Sequence, residues 1–490
     1  MAARRHRRSA GADRWHTSQS RINRIGPCAA LLLVLGFAAP VLARQDLPLS
    51  LPPSGVPGVG ETELIADFWV KGAADRHTVL LAGDAIRVRN RQLLEQDPSM
   101  HALADMPAQL QAAQVRQWIE ARSPRPAGAL FDINGKPVSA VDLDAWMAAL
   151  ALDRIPASQA TRFGLTLKRS ALRSFPTARR VFSEAGETDI DRFQESALFP
   201  GTPVVIAHTS RDGKWLFVVS PRYAAWTLAD AVAEGDRDVV LSYPERSPYR
   251  VITGDEVRTV NSREQPALSQ LDLDMGVRIP LALDVAADQP VNGQTSYSSW
   301  VLELPLRGAD GQLAFAPALL QKNRDSAVDY LPLTRANLIR QAFRFLGERY
   351  GWGHAYNGRD CSGFVSEVYQ SMGLTLPRNT SDQAVSPVFP HQRFDAASSD
   401  DDRRRAVANL DVGDLVYIPG HVMMVIGQAH GRHYVIHDVS GISYRQPDGS
   451  RRRIKLNAVS VTPLEPLMFN DNERYIDRMT SIVRPWGILP

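Results

Sequence analysis

The sequence predicts a multidomain α+β protein: a helical N-terminal segment, two β-barrels of SH3 size, and a C-terminal domain in which helix and strand alternate. Three observations carry this expectation. The chain has 490 residues, which at roughly 150 residues per domain means about three domains. Its composition, 44% hydrophobic and 22% charged, is that of a globular chain and excludes a disordered, collagen-like or coiled-coil one. The spacing of apolar residues changes twice along the chain, from helical to alternating to mixed.

Residues 1–43 read as a secretory signal. Seven arginines and one acid precede the apolar run Cys28–Ala39, and Val41-Leu42-Ala43 offers a small-residue cleavage site. The run is about a dozen residues, short for a bilayer core of ~30 Å. No later stretch is long and apolar enough to span, so the mature chain is expected to be exported, periplasmic or envelope-associated, with no stable membrane span. Without residues 1–43 the balance is 49 basic and 52 acidic residues, a net of −3. Nucleic acid thereby loses its electrostatic support as a partner.

Residues 44–60, rich in Pro, Gly and Ser, read as an extended linker. Over 61–155 the recurrence of Leu110, Val115, Trp118 and Ile119, then Leu143, Trp146, Met147 and Leu150, predicts helices. From 156 the texture becomes short β-runs, with Asp212-Gly213 marking a hairpin; the length suits one small barrel over 156–235 and a second over 236–330. Residues 331–490 form the mixed domain. Thr334 is placed to cap a helix with the inward stripe Leu338, Ile339, Ala342, Phe343 and Leu346. A second helix is expected to start near Cys361, and strands at 414–418, 421–426 and 434–438. Segment 391–409 reads as a solvated loop and helix face, and Ser450–Arg453 as a hairpin tip.

Once the signal is set aside, Cys361 is the only cysteine. An exported chain with one thiol forms no internal disulfide, so the thiol is either packing or chemistry. Cys361 stands where a glycine-rich loop gives way to an apolar helix, and a helix N-terminus favours thiolate and offers N–H groups to an oxyanion. Position alone leaves a cysteine merely packed beneath a loop equally open. The histidines shift the balance. A three-residue loop at 428–430 would place His421 directly opposite His437 on one sheet face, where one imidazole can orient the other. A thiol, a base and an orienting group are the parts nucleophilic catalysis needs. His430, His433 and Asp438 do not make a metal-binding pattern with them, Gly351-Trp352-Gly353 is not a dinucleotide loop, and no cofactor is implied.

These residues resemble a known family. Asp360-Cys361-Ser362-Gly363-Phe364, with Tyr350-Gly-Trp352-Gly before it and Leu376-Pro-Arg-Asn-Thr380 after it, is similar to the NlpC/P60 cysteine peptidases, as are Gly413-Asp414-Leu, Gly420-His421-Val and Tyr434-Val-Ile-His437 in that order. Upstream, Arg169–Thr177, Asp191–Gln194, Asp212–Trp215 and Ser220–Trp226 resemble the bacterial SH3 region of multidomain members, which also carry a helical, clip-like N-terminal segment. The resemblance implies a papain-like α+β catalytic domain that hydrolyses peptidoglycan stem peptides between γ-D-glutamate and the diamino acid, meso-diaminopimelate or L-lysine. By matching position Cys361 would be nucleophile, His421 general base and His437 its orienting partner. Asp360, Ser362 and Thr380 would help hold a free N-terminal L-alanine, Tyr223 of the SH3 region would cap the cleft, and Tyr350 and Trp352 would line it. The implied partners are muropeptides. The chain departs from the family pattern at His354, which stands where a second glycine is common, at Ala224-Ala225, and in the longer spacing from His421 to His437. A non-catalytic wall-binding scaffold, and an amidase or acyltransferase built on the same three residues, are the alternative readings.

Overall fold

The computed structural model describes residues 54–286 and 288–487. The expected signal, 1–43, and most of the expected linker lie outside them. The described end of that linker is not a free tether, as its composition suggested. Val59 is buried, and the Tyr434 hydroxyl donates to the Gly58 carbonyl at 2.5 Å. Among the described residues no helix is long and apolar enough to cross a membrane.

The N-terminal part is helical as its spacing predicts, with helices at Ala66–Gly72, Gly83–Gln96 (α1), Ala112–Arg122 and Ala140–Ala149. Ser139 and Asp142 close a reciprocal capping box on the last of these. The first barrel is a seven-stranded antiparallel sheet running from Arg162 to Gly235. Its hairpin Pro203–Thr209 to Trp215–Val219 turns at the Asp-Gly pair, with Gly213 at φ +73°. The second β-region packs three small sheets around Ile252, Leu273, Ile279, Leu302 and Leu320. Its long hairpin pairs Ser299–Arg307 with Leu313–Gln321.

The C-terminal domain lays two helices on a six-stranded sheet. Helix α2, Arg335–Phe343, starts at Thr334, whose hydroxyl accepts from the Asn337 N–H at 3.1 Å. Helix α3 is Cys361–Gln370. The strands are β1 (His391–Arg393), β2 (Leu415–Ile418), β3 (His421–Ala429), β4 (Arg432–Arg445), β5 (Arg451–Pro463) and β6 (Ser481–Val483), in the order β1-β6-β2-β3-β4-β5. Alternation along β3 sends Val422, Met424 and Ile426 to the core shared with Phe364, Val365 and Val368 of α3, and Met423 and Val425 to a second core on the other face.

Segment 391–409 contains a strand as well as a helix: β1 pairs with β6, and Asp400–Ala408 is capped by Ser399. The expected hairpin tip at Ser450–Arg453 is shifted too. The turn is at 446–450, and Arg451 to Arg453 already pair with β4 as the start of β5. A run of three arginines can sit in a strand because alternate side chains reach solvent.

Candidate active site

Helix α3 begins at Cys361 because Asp360 caps it. The Asp360 Oδ1 accepts the Gly363 N–H at 2.8 Å, while Oδ2 accepts the Gly353 N–H at 3.0 Å. The carboxylate is held further by Arg378, which reaches Oδ2 at 2.7 Å and also donates to the Ser362 hydroxyl at 2.8 Å. These bonds outweigh burial and hold Asp360 down to about 2. Gly363 is fixed by packing: a Cβ there would overlap the His354 ring. Gly353 turns through φ +57°, against the Gln194 backbone.

Cys361 is 6% exposed, on the face of α3 that meets β3. Burial, with the neighbouring Asp360 charge, pushes its thiol up to about 12, although the Val422 backbone N–H points at the sulfur and favours thiolate. The helix N-terminus therefore does not by itself ionise the thiol, contrary to the expectation from sequence. The reason is that a fully desolvated sulfur sits beside a fixed carboxylate. Among the described residues no hydrogen bond joins Cys361 to His421.

His421 and His437 are brought together, with His421 Nε2 2.8 Å from His437 Nδ1. The other nitrogen of His437, Nε2, is 3.0 Å from the Thr462 hydroxyl on β5. Burial alone lowers His421 to about 4, and His437 lies well below its usual value because burial and the adjacent ring act together. The pairing differs from the one expected. Ala429 pairs with Arg432, so the turn has two residues rather than three, and a bulge interrupts β3 between Val425 and Gly427. Beyond it Met424 pairs with Ile436. Extending that register puts His437 opposite Met423, so the two imidazoles are diagonal neighbours, not directly opposed.

The remaining residues singled out in the sequence divide. Tyr350 is buried beside the thiol, its phenol pushed up by burial and by Cys361, Asp360 and Asp438. Trp352 is turned to the first barrel, donating to the Gln194 carbonyl at 3.0 Å. Tyr223 is buried in a polar triangle. Its hydroxyl donates to Glu195 at 2.6 Å and accepts from Arg122 at 2.7 Å. Thr380 opens the helical turn Thr380–Gln383, and its hydroxyl makes no hydrogen bond among the described residues. His430 pairs with Glu63 and His433 with Glu465, each within 3.1 Å, so neither joins the His421 cluster.

Sequence reasoning missed four residues. Arg378 ties Asp360 and Ser362 to Ser196 of the first barrel, where its Nε donates at 2.6 Å. Thr462 fixes His437. Asp438 is fully buried near the thiol with neither carboxylate oxygen hydrogen-bonded, and burial pushes it well above the usual carboxylate range. His354 was noticed only as a departure. It sits between Arg378, 3.1 Å from Nδ1, and Glu367, 3.1 Å from Nε2. None of the four carried a local sequence signal: Thr462 lies on a strand that the sequence did not predict, diagonal to His437 rather than opposite it.

A cysteine at the start of a buried helix, facing a sheet that bears a hydrogen-bonded histidine pair, defines the class of papain-like thiol sites. Two family models match the sequence: NlpC/P60 family over residues 347–459, and SH3 domain (SH3b1 type) over residues 180–227. Residues 347–459 thus match an NlpC/P60 domain, and an SH3b-type match lies ahead of it in the chain. Among solved structures it is similar to an NlpC/P60 endopeptidase from Photobacterium damselae subsp. piscicida, at 15% identity and a TM-score of 0.69, covering 86% of this chain and 97% of that one. An NlpC/P60 family protein from Bacillus cereus matches at 19% identity and a TM-score of 0.42, covering 67% of this chain and all of the other. A comparison with curated proteins found no match.

Proposed function

We propose that this protein is an exported cysteine endopeptidase that cleaves peptidoglycan stem peptides, at the bond between γ-D-glutamate and the diamino acid of muropeptides with a free N-terminal L-alanine. The observation that carries the reading is the relay of His421, His437 and Thr462, with contacts of 2.8 and 3.0 Å, on the sheet that α3 presents its thiol to. The NlpC/P60 match over residues 347–459 and the SH3b match support a cell-wall substrate and action in the envelope.

Each group has a role that follows from its chemistry. For His421 to accept the thiol proton at Nδ1, its Nε2 must carry hydrogen and donate to His437 Nδ1. His437 then carries its own proton on Nε2 and donates to Thr462. One tautomer satisfies both contacts and leaves the base free. Cys361 attacks the scissile carbonyl as its proton passes to His421, and backbone N–H groups at the start of α3 face the oxyanion. His421 returns the proton to the leaving amine, and water hydrolyses the thioester with His421 again as base. The thiol and imidazole are neutral at rest, so charge separates only when substrate is present. Tyr350 and Tyr223 with Glu195 are the groups placed to meet the substrate's polar N-terminal end.

The test is digestion of L-Ala-γ-D-Glu-diaminopimelate by wild type and by Cys361→Ala, followed by mass spectrometry. Release of L-Ala-γ-D-Glu by wild type alone supports the reading. Turnover retained by the folded variant overturns it.

A further inference from the structure

Helix α3 has a second face. Cys361, Phe364, Val365 and Val368 point into the main core, and Gly363, Ser366, Glu367 and Gln370, about half a turn away, line a cavity of about 650 Å³. Its other walls come from α1 and the chain that follows it, the first barrel and the second β-region. Met100, Phe199 and Met275 make part of the lining apolar. A volume of this size suits a small organic ligand.

The cavity also holds an uncompensated charge. Arg222, in the turn between two strands of the first barrel, makes no hydrogen bond or ion pair among the described residues. Its Nε and Nη2 are sealed from solvent without partners, which leaves Nη1 as the accessible nitrogen. The two acids nearest it are committed elsewhere. Glu367 binds Arg359 at 2.7 Å and His354 at 3.1 Å, and Asp360 binds Arg378 at 2.7 Å. Arg378 itself adds a like charge, and burial lowers Arg222 only to about 10, so it stays cationic at neutral pH. A half-buried guanidinium with two nitrogens sealed from solvent and no counter-ion is stabilised when an anion completes it. The geometry of an arginine fork suits a carboxylate.

We propose that this cavity, which lies on the face of α3 away from Cys361 and shares Tyr223 and Arg378 with the site described above, is a ligand site for a small amphipathic carboxylate. Its anionic head pairs with Arg222 and its apolar body packs against Met100, Phe199 and Met275. The site stands on cavity shape and charge alone and does not depend on the catalytic reading.

The test is isothermal titration of the full chain carrying Cys361→Ala with octanoate, octanamide and acetate. Octanoate is expected to bind one to one and about tenfold more tightly than octanamide, the worth of one charge-assisted hydrogen bond, with acetate weaker than both. Arg222→Gln should abolish the preference for octanoate over octanamide. Leu241→Trp, which fills the cavity and leaves Arg222 in place, should remove binding of both. Equal affinity for octanoate and octanamide, no octanoate binding, or a preference that survives Arg222→Gln would overturn the proposal.

Discussion

His421 and His437 share one face of the sheet because β3 carries one extra residue at Ile426. The turn sets Ala429 opposite Arg432 and Gly427 opposite Tyr434; carried on without interruption, that register would put His421 and His437 on opposite faces. The bulge shifts the pairing so that Val425 meets Val435, and parity is restored. A diagonal pair then closes to a 2.8 Å contact.

If His437 and Thr462 act through His421, their loss should lower kcat more than it raises KM. His437→Leu is expected to reduce kcat about 10²–10⁴-fold, the span general acid–base help covers. His437→Asn, which keeps an acceptor toward His421, should recover part of that. Thr462→Val should cost roughly tenfold or more, as outer-shell partners do. Steady-state kinetics with a defined muropeptide reads all three; an unchanged kcat in His437→Leu would remove His437 from the relay.

The protonation of Cys361 and His421 gives a pH signature. With the thiol pushed up to about 12 and His421 lowered to about 4, neither group is charged at neutral pH. Alkylation of Cys361 by iodoacetamide should therefore be slow at pH 7 and accelerate steadily above pH 9. For stability, the raised thiol contributes fully below its unfolded value of about 8.5 and loses that contribution as pH rises toward 12. The lowered histidine contributes above about 6.5 and loses its share as pH falls toward 4. Fast alkylation at pH 6, the mark of a preformed thiolate, would contradict the neutral resting pair.

Much of this was legible before any coordinates. The Thr334 cap, the helix start at Cys361 and the Asp212-Gly213 hairpin are local signals, each set by a few consecutive residues. The register of the histidine hairpin was not legible, because a bulge leaves no mark in composition, and an apolar strand reads the same with or without it. Arg378, Asp438 and His354 were hidden for another reason. Their significance is an environment assembled from distant parts of the chain: Arg378 meets Ser196 from 182 positions earlier. Charge next to an apolar run reads as solvated surface unless the partner is known.

Arg378 is expected to be the costliest single charge to remove from the site. It is buried, pairs with Asp360 and spans to the first barrel. Arg378→Met leaves Asp360 buried beside the thiol with no cation, only the Gly353 and Gly363 N–H groups and the Ser362 hydroxyl as partners, and should destabilise the protein by about 3–5 kcal/mol in denaturant unfolding. Adding Asp360→Asn should return a good part of that loss, because the isolated charge is gone. If the double variant loses as much as the two single variants summed, the pair is not coupled.

Asp438 should behave in the opposite way. Both its carboxylate oxygens are buried without side-chain partners, and Glu348 and Asp360 reinforce the effect of burial, so its carboxyl is held well above the usual carboxylate range. The unfolded chain ionises near 3.9, so as pH rises above that value the unfolded state gains and stability falls until the folded carboxyl ionises too. Asp438→Asn, similar in shape and never charged, removes this loss. At pH 7 it should stabilise the chain, and at pH 3.5 it should have almost no effect. Urea unfolding at the two pH values measures the difference. A variant less stable than wild type at pH 7 would mean that the carboxylate is charged and needed there, which would place an ionised acid next to Cys361.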